Sequence, residues 1–161
     1  MRAVIQRVYD CTLSIDSSST PYSEIKNGLL ILLGVENGDD EKDSEKLARK
    51  ISSLRIFSDS EGKMNLSCTD PEINGEFMVV SQFTLCGDCS HGRRPNMMKS
   101  APPSIAIPLY EHFVSFLREE CKRITSSDRD LVKTGVFGAD MQIKFTNDGP
   151  VTFIIESGDL K

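Results

Sequence analysis

The sequence predicts one mixed α/β domain with more strand than helix, and three kinds of pattern predict it. Segments at both ends alternate apolar and polar residues, as half-buried strands do. Short, fully apolar runs bounded by glycine or charge have the length of core strands. Two longer stretches repeat apolar residues every three to four positions, the mark of amphipathic helices. At 161 residues the chain suits a single domain able to bury a sizeable core. No internal repeat, low-complexity tract or interdomain linker divides it, so residues 1–161 are read as one unit.

Met1 to Tyr9 alternates in strand fashion, and Cys11-Thr12-Leu13-Ser14-Ile15-Asp16 does so more strictly, which predicts two opening strands. Arg7 falls on the face of Ala3 and Ile5. It is therefore either a guanidinium reaching solvent at a strand end or a buried one with a partner. Ser17 to Pro21 reads as a turn, and Asn27-Gly28 as a tight turn before a core strand from Leu29 to Val35. Glu41 to Leu54 follows as a helix, with Leu47, Ile51 and Leu54 as its apolar stripe and Glu45 four residues before Arg49.

Arg55-Ile56-Phe57 and Lys63 to Leu66 read as strands around an Asp59 to Gly62 turn, and Asp70 to Gly75 as a loop. Phe77 to Leu85 reads as one strand, apolar on both faces until Ser81, with Ser81 and Phe83 then on one face and Gln82 and Thr84 on the other. These polar residues either satisfy loose backbone groups or line a pocket, and the pattern leaves both open. Cys86 to Pro103 has no periodicity; loops of this length in compact domains tend to carry function. A second helix starts at Ser104 or Ile107, with Pro108 in its first turn and Tyr110, Phe113, Leu117, Cys121 and Ile124 as its packing face. Leu131 to Phe137 is expected as a strand ending at Gly138. Met141 to Thr146 and Val151 to Glu156 are expected as the last two, joined by Asn147-Asp148-Gly149-Pro150 as a hairpin turn.

Composition narrows the function. With 39% hydrophobic and 27% charged residues, the chain falls in the soluble globular range. Its longest apolar run, Leu29 to Leu33, is far short of a membrane span, and no signal-type segment opens it. The expected location is the cytoplasm. The net charge of −5 disfavours whole-surface attraction to a polyanion, so contact with nucleic acid requires a local basic cluster. Arg93 and Arg94 beside His91, with Lys99 nearby, form the one candidate; such a cluster is either a solvated loop or a phosphate contact. Five scattered cysteines suit a reducing compartment. Cys86-Gly87-Asp88-Cys89 has metal-type spacing, but no second ligand pair stands near it, and no metal or cofactor is expected.

Four stretches then coincide: Met1-Arg2-Ala3-Val4-Ile5-Gln6-Arg7-Val8, Ser81-Gln82-Phe83-Thr84-Leu85, Gly135-Val136-Phe137-Gly138-Ala139-Asp140-Met141 and Asn147-Asp148-Gly149-Pro150-Val151-Thr152. Together, and in this order over nearly the whole chain, they resemble the D-aminoacyl-tRNA deacylase family, also called D-tyrosyl-tRNA deacylase. The resemblance implies a mainly antiparallel, barrel-like β core flanked by two main helices, in a homodimer. It implies hydrolysis of the ester between a D-amino acid, or in several members glycine, and the 3′-terminal adenosine of tRNA.

Carried onto this chain, the resemblance assigns Ser81, Gln82, Phe83 and Thr84 to the catalytic pocket wall. Gly149 and Pro150 become a cis dipeptide that enters the pocket of a second subunit. Arg7 would hold that dipeptide, and Phe137 and Met141 would pack beside the adenosine. An aminoacyl ester is already activated, so positioning and oxyanion stabilisation matter more than a strong acid or base. Thr84 has no base near it in sequence, and the family reading has the adenosine 2′-hydroxyl assist attack. L-amino acids would be shut out by the Gly149 and Pro150 carbonyls, with no side-chain-reading pocket. The cysteine pair at 86 and 89 departs from the family pattern. The chain lacks the long carboxyl-terminal extension of relatives linked to DNA replication, which disfavours that role. The alternative of another class is a non-catalytic nucleic-acid-binding module using Arg93, Arg94 and Lys99.

Overall fold

The computed structural model describes residues 1–161 and is built on a five-stranded mixed sheet in the order β6-β5-β2-β1-β7. The strands are β1 (Arg2–Ile15), β2 (Ser23–Gly34), β5 (Glu76–Ser81), β6 (Val132–Thr134) and β7 (Met141–Glu156). β3 (Arg55–Ser58) and β4 (Met64–Ser67) form a separate antiparallel pair. Helices α1 (Glu41–Ser52) and α2 (Pro103–Thr125) pack on each other over one face of the sheet.

The pairing of β1 with β2 and β7 is antiparallel, whereas β2 with β5 and β5 with β6 are parallel. Parallel neighbours require a crossover, and α2 supplies the one between β5 and β6. Three parallel strands therefore end at the same edge of the sheet, and ligands of open α/β sheets gather at that edge.

Both sheet faces are apolar, which accounts for the fully hydrophobic runs of β2 and β5. The larger core joins Ala3, Ile5, Leu29, Ile31, Leu33, Phe77 and Val79 to Leu47 and Ile51 of α1 and Phe113 and Leu117 of α2. The smaller one gathers Val8, Leu13, Ile25, Leu30, Met78 and Val80 on the other face. α1 begins with a reciprocal cap between Asp40 and Asp43, so two orphan N–H groups of its first turn are satisfied.

Several boundaries differ from the sequence expectations. The two opening strands are one, β1, which bends at register shifts instead of breaking. Asn27-Gly28 lies inside β2, where a β-carbon at Gly28 would sit 1.8 Å from the Glu76 carbonyl oxygen. The glycine is there for close strand approach, and turn chemistry was the wrong explanation.

The strand expected to reach Leu85 stops at Ser81, and Phe83–Cys86 forms a 3-10 turn, so the alternation of faces ends there. α2 begins earlier than expected, at Pro103. Pro108 falls in its second turn on the exposed side, so the helix bond that it cannot donate is missing at the surface and not in the core. β6 is only three residues long.

The largest correction concerns Asn147 to Pro150, which make no hairpin. β7 runs through them on one side of β1: Gln6 pairs with Thr152 and Val8 with Asn147, so residues 148–151 bulge out opposite Arg7 alone.

Candidate active site

The three parallel strands end around a cavity of about 610 Å³, lined mostly by hydrophobic residues. This is within the size range of small-molecule sites. Leu33 and Val35 come from the end of β2, and Val80 to Phe83 from the end of β5. Phe137 to Met141 follow β6. Ala101, Ala106 and Tyr110 close the side formed by α2 and the chain leading into it.

Ser81, Gln82, Phe83, Phe137 and Met141 thus line one cavity although they are spread over 61 positions of the sequence. Gln82 is held by its N–H to the Leu33 carbonyl at 2.8 Å, which carries the β2–β5 ladder one residue past the strand. Arg2 steadies the following turn, with Nη1 donating to the Leu85 carbonyl at 2.8 Å and Nη2 2.9 Å from a Glu156 carboxylate oxygen. The first internal bond of the turn runs from the Leu85 N–H to the Gln82 carbonyl, so the N–H groups of Phe83 and Thr84 precede it. Amides at that position have no partner within the turn.

Thr84 does not line the cavity. It is exposed, and its Oγ1 accepts a hydrogen bond from Gln82 Nε2 at 2.5 Å. Neither histidine is near it in function: His91 pairs with Ser90 in the exposed loop, and His112 with Glu45 across the two helices. The arrangement holds no activated hydroxyl nucleophile.

Arg7 is buried, at 8% exposure, so the reading in which it reaches solvent is overturned. Its Nη1 donates to the Ile56 carbonyl at 2.8 Å, its Nε lies 2.7 Å from Asp148 Oδ2, and its guanidinium stands 5.8 Å from the Phe57 ring centre. The Nε contact is a close ion pair without good hydrogen-bond alignment. One guanidinium therefore ties the bulge of β7 to β3 from a β1 position that pairs with Leu29 of β2 but has no partner on β7.

The Gly149–Pro150 peptide is cis, and both residues are exposed outside the cavity of their own chain. Gly149 has φ +119°, and a β-carbon there would lie 2.6 Å from Val151 Cγ2 and 3.2 Å from Arg7 Nη2. Only glycine suits the position. Asn147 supports the bulge from inside, its Oδ1 accepting from the Val151 N–H at 3.2 Å and its Nδ2 donating to Thr152 Oγ1 at 3.1 Å.

The basic residues stand apart from the cavity. Backbone bonds in both directions between Asp88 and Asn96 close a loop, and Arg93 and Arg94 sit at its tip, exposed and free of ion pairs. Lys99 is exposed as well, one residue before Ser100 of the cavity wall. Cys86 and Cys89 stand in different surroundings. Cys86 is buried, with its thiol directed at the Val35 carbonyl, and burial pushes its pKa up to about 11; Cys89 is exposed. No three His, Cys, Asp or Glu side chains gather as a metal site.

Tyr110 is the cavity residue that sequence reasoning assigned to packing alone. An aromatic on a helix stripe has the same spacing whether it meets only core or also a cavity, so periodicity held no signal for the difference.

Fold and site together define a mixed α/β protein with a largely apolar cavity at the carboxyl ends of parallel strands, polar backbone at its rim and no nucleophile–base pair. Comparison with known proteins narrows this class. The family model described as D-Tyr-tRNA(Tyr) deacylase matches residues 4–156. The D-aminoacyl-tRNA deacylase of Thermosipho africanus is 51% identical over 157 residues, covering 98% of this chain and 97% of that protein. The D-aminoacyl-tRNA deacylase of Porphyromonas gingivalis is also 51% identical, with the same coverage. The solved structure of the c-Myc DNA Unwinding Element Binding Protein superimposes with a TM-score of 0.84 at 36% identity, covering 97% of this chain and 98% of that one. The chain belongs to the D-Tyr-tRNA(Tyr) deacylase family, whose members hydrolyse aminoacyl-tRNA.

Proposed function

We propose that this protein hydrolyses the ester of D-aminoacyl-tRNA in the cytoplasm, as a homodimer of a one-domain chain, and that it also accepts glycyl-tRNA. The observation that carries the reading is the division of the site: one chain holds the cavity, and its own Gly149 and Pro150 lie outside it, anchored through Asp148 to Arg7. A second copy is needed to bring the dipeptide to the cavity. Phe83 at the cavity is 59% exposed, and Phe145, Phe153 and Ile154 are exposed on the edge strand β7. Apolar groups on an open sheet edge suit burial against another subunit.

In this reading the terminal adenosine enters against Phe137 and Met141, and the ester lies along Ser81 to Phe83. Water attacks the ester carbonyl carbon with the adenosine 2′-hydroxyl assisting. The amide N–H groups at Phe83 and Thr84 receive the developing oxyanion. The bond between the carbonyl carbon and the ribose oxygen then breaks, the ribose oxygen takes a proton, and free amino acid and tRNA leave. Thr84 helps to fix Gln82 and makes no covalent bond.

The partner's Gly149 and Pro150 carbonyls accept from the substrate amino group and occupy the space an L side chain would need, whereas glycine has no side chain to exclude. Arg93, Arg94 and Lys99 contact phosphates of the acceptor end, a local attraction on an otherwise acidic protein.

The test is hydrolysis of D-Tyr-tRNA beside L-Tyr-tRNA and Gly-tRNA. Turnover of the D and glycyl esters with the L ester spared is expected. Equal or absent hydrolysis of D- and L-Tyr-tRNA refutes the reading, and tight salt-dependent tRNA binding without turnover would favour a non-catalytic module.

A further inference from the structure

Tyr110 touches the segment after β6 at Phe137 and shares a backbone acceptor with its root. The ring is 6% exposed on the inner face of α2, and its hydroxyl donates to the Val79 carbonyl at 3.0 Å. That same carbonyl accepts the N–H of Gly135 at 3.3 Å, and Gly135 is the residue at which the chain leaves β6. The ring then meets Phe137 edge-on, with centroids 5.8 Å apart and planes at 66°, a favoured geometry for an aromatic pair. Burial pushes the Tyr110 phenol well above its ordinary pKa, so the hydroxyl remains a donor throughout the neutral range.

Phe137 is half-buried and packs against the larger core as well. The remaining bonds of its turn are the Ala139 N–H to the Val136 carbonyl at 3.2 Å and the Asp16 N–H to the Asp140 carbonyl at 3.0 Å. Both secure the far side of the turn. The Met141 sulfur fills the space beside the Gly135 backbone, so the other side chain expected at the adenosine leans on the same root.

We propose that Tyr110 is a positioning residue, one that sets the Phe137 ring at the angle that receives the terminal adenosine. This rests on the function proposed above. Tyr110 acts through Phe137 and does not take part in the chemical step, so its loss weakens substrate capture and leaves ester cleavage nearly unchanged.

The test compares Tyr110→Phe, Tyr110→Leu, Phe137→Leu and the Tyr110→Leu/Phe137→Leu double variant. Tyr110→Leu should raise KM for D-Tyr-tRNA about three- to tenfold, the range that an edge-on aromatic pair sustains, with kcat altered less than about twofold. Tyr110→Phe should fall between it and the unaltered protein. The double variant should be no worse than Phe137→Leu alone. Backbone amides 135–140 should exchange hydrogen faster in Tyr110→Leu, with the melting temperature reporting overall folding.

Effects that add in the double variant, a loss carried by kcat, or unchanged exchange at 135–140 would overturn the proposal. If Tyr110→Leu does not fold, Tyr110→Phe carries the test: it keeps the ring but loses the bond to the Val79 carbonyl, and it must raise KM while leaving kcat nearly unchanged. If the unaltered protein is inert on D-Tyr-tRNA, the functional reading fails, and the exchange measurement alone decides whether Tyr110 positions the segment.

Discussion

Arg7→Ala is the perturbation that tests the site's central contact. The guanidinium is buried between the Ile56 carbonyl, the Phe57 ring and Asp148, and it is the side chain that ties the 148–151 bulge to the body of the fold. Removing one partner of a buried ion pair costs about 3–5 kcal/mol. The Asp148 side chain is 25% exposed and can recover water, which lowers the expected cost to about 2 kcal/mol, or about 30-fold in the population of the anchored bulge.

If Gly149 and Pro150 exclude L side chains only while anchored, the ratio of kcat/KM for D-Tyr-tRNA to that for L-Tyr-tRNA should fall by up to the same ~30-fold. Arg7→Lys should fall between, because a point-like ammonium cannot reach Ile56 and Asp148 together as the planar guanidinium does. Steady-state deacylation of the two esters is the assay, with thermal unfolding run in parallel. A lower melting temperature with an unchanged D-to-L ratio would show that Arg7 only holds the fold, and the reasoning would be refuted.

Thr84→Ala should retain activity within about tenfold, since only the Gln82 hydrogen bond is lost; a drop of several orders of magnitude in single-turnover rate would restore a nucleophilic role. Gly28→Ala should lower the melting temperature sharply or prevent folding, because the added β-carbon overlaps the Glu76 carbonyl, and a melt like that of the parent would contradict the strand spacing. In thiol titration of the folded protein near pH 8, only the exposed Cys89 should react rapidly, with all five cysteines reacting after denaturation. Burial raises the Cys11 and Cys86 thiols to about 11 and Cys121 to about 12. The stability held by these neutral thiols is complete below their unfolded pKa and is lost as pH rises through about 9 to 12, so denaturant midpoints should fall across that window.

Much of the fold was legible because binary pattern and local signals agreed. The runs in β2 and β5 are apolar on both faces because helices cover one side and a second apolar cluster fills the other. The stripe of α2 also matched its buried face at Tyr110, Phe113, Leu117 and Cys121. Illegible parts were those in which a local signal answered to a distant neighbour. Asn27-Gly28 has the composition of a turn, yet its glycine answers to the Glu76 carbonyl. Asn147 to Pro150 has it too, yet two stretches of β7 find partners on the same strand, β1, and the intervening residues bulge. Arg7 stands out on an apolar face in the pattern, but its partner lies 141 positions away and only the strand register brings Asp148 to it.

By itself, the sequence determined the elements, the two apolar sheet faces, and the motifs that mark the family. The elements and apolar faces follow from side-chain periodicity, which each segment carries alone, and the motifs from residue identity. Tertiary structure decided that Ser81 to Phe83, Phe137 and Met141 share one cavity, that Thr84 turns away from it, and that Gly149 and Pro150 stand outside it on an anchored bulge. These depend on which strands pair, in which direction and in what register. That choice minimises free energy over contacts between residues far apart in the chain, and local pattern does not encode it.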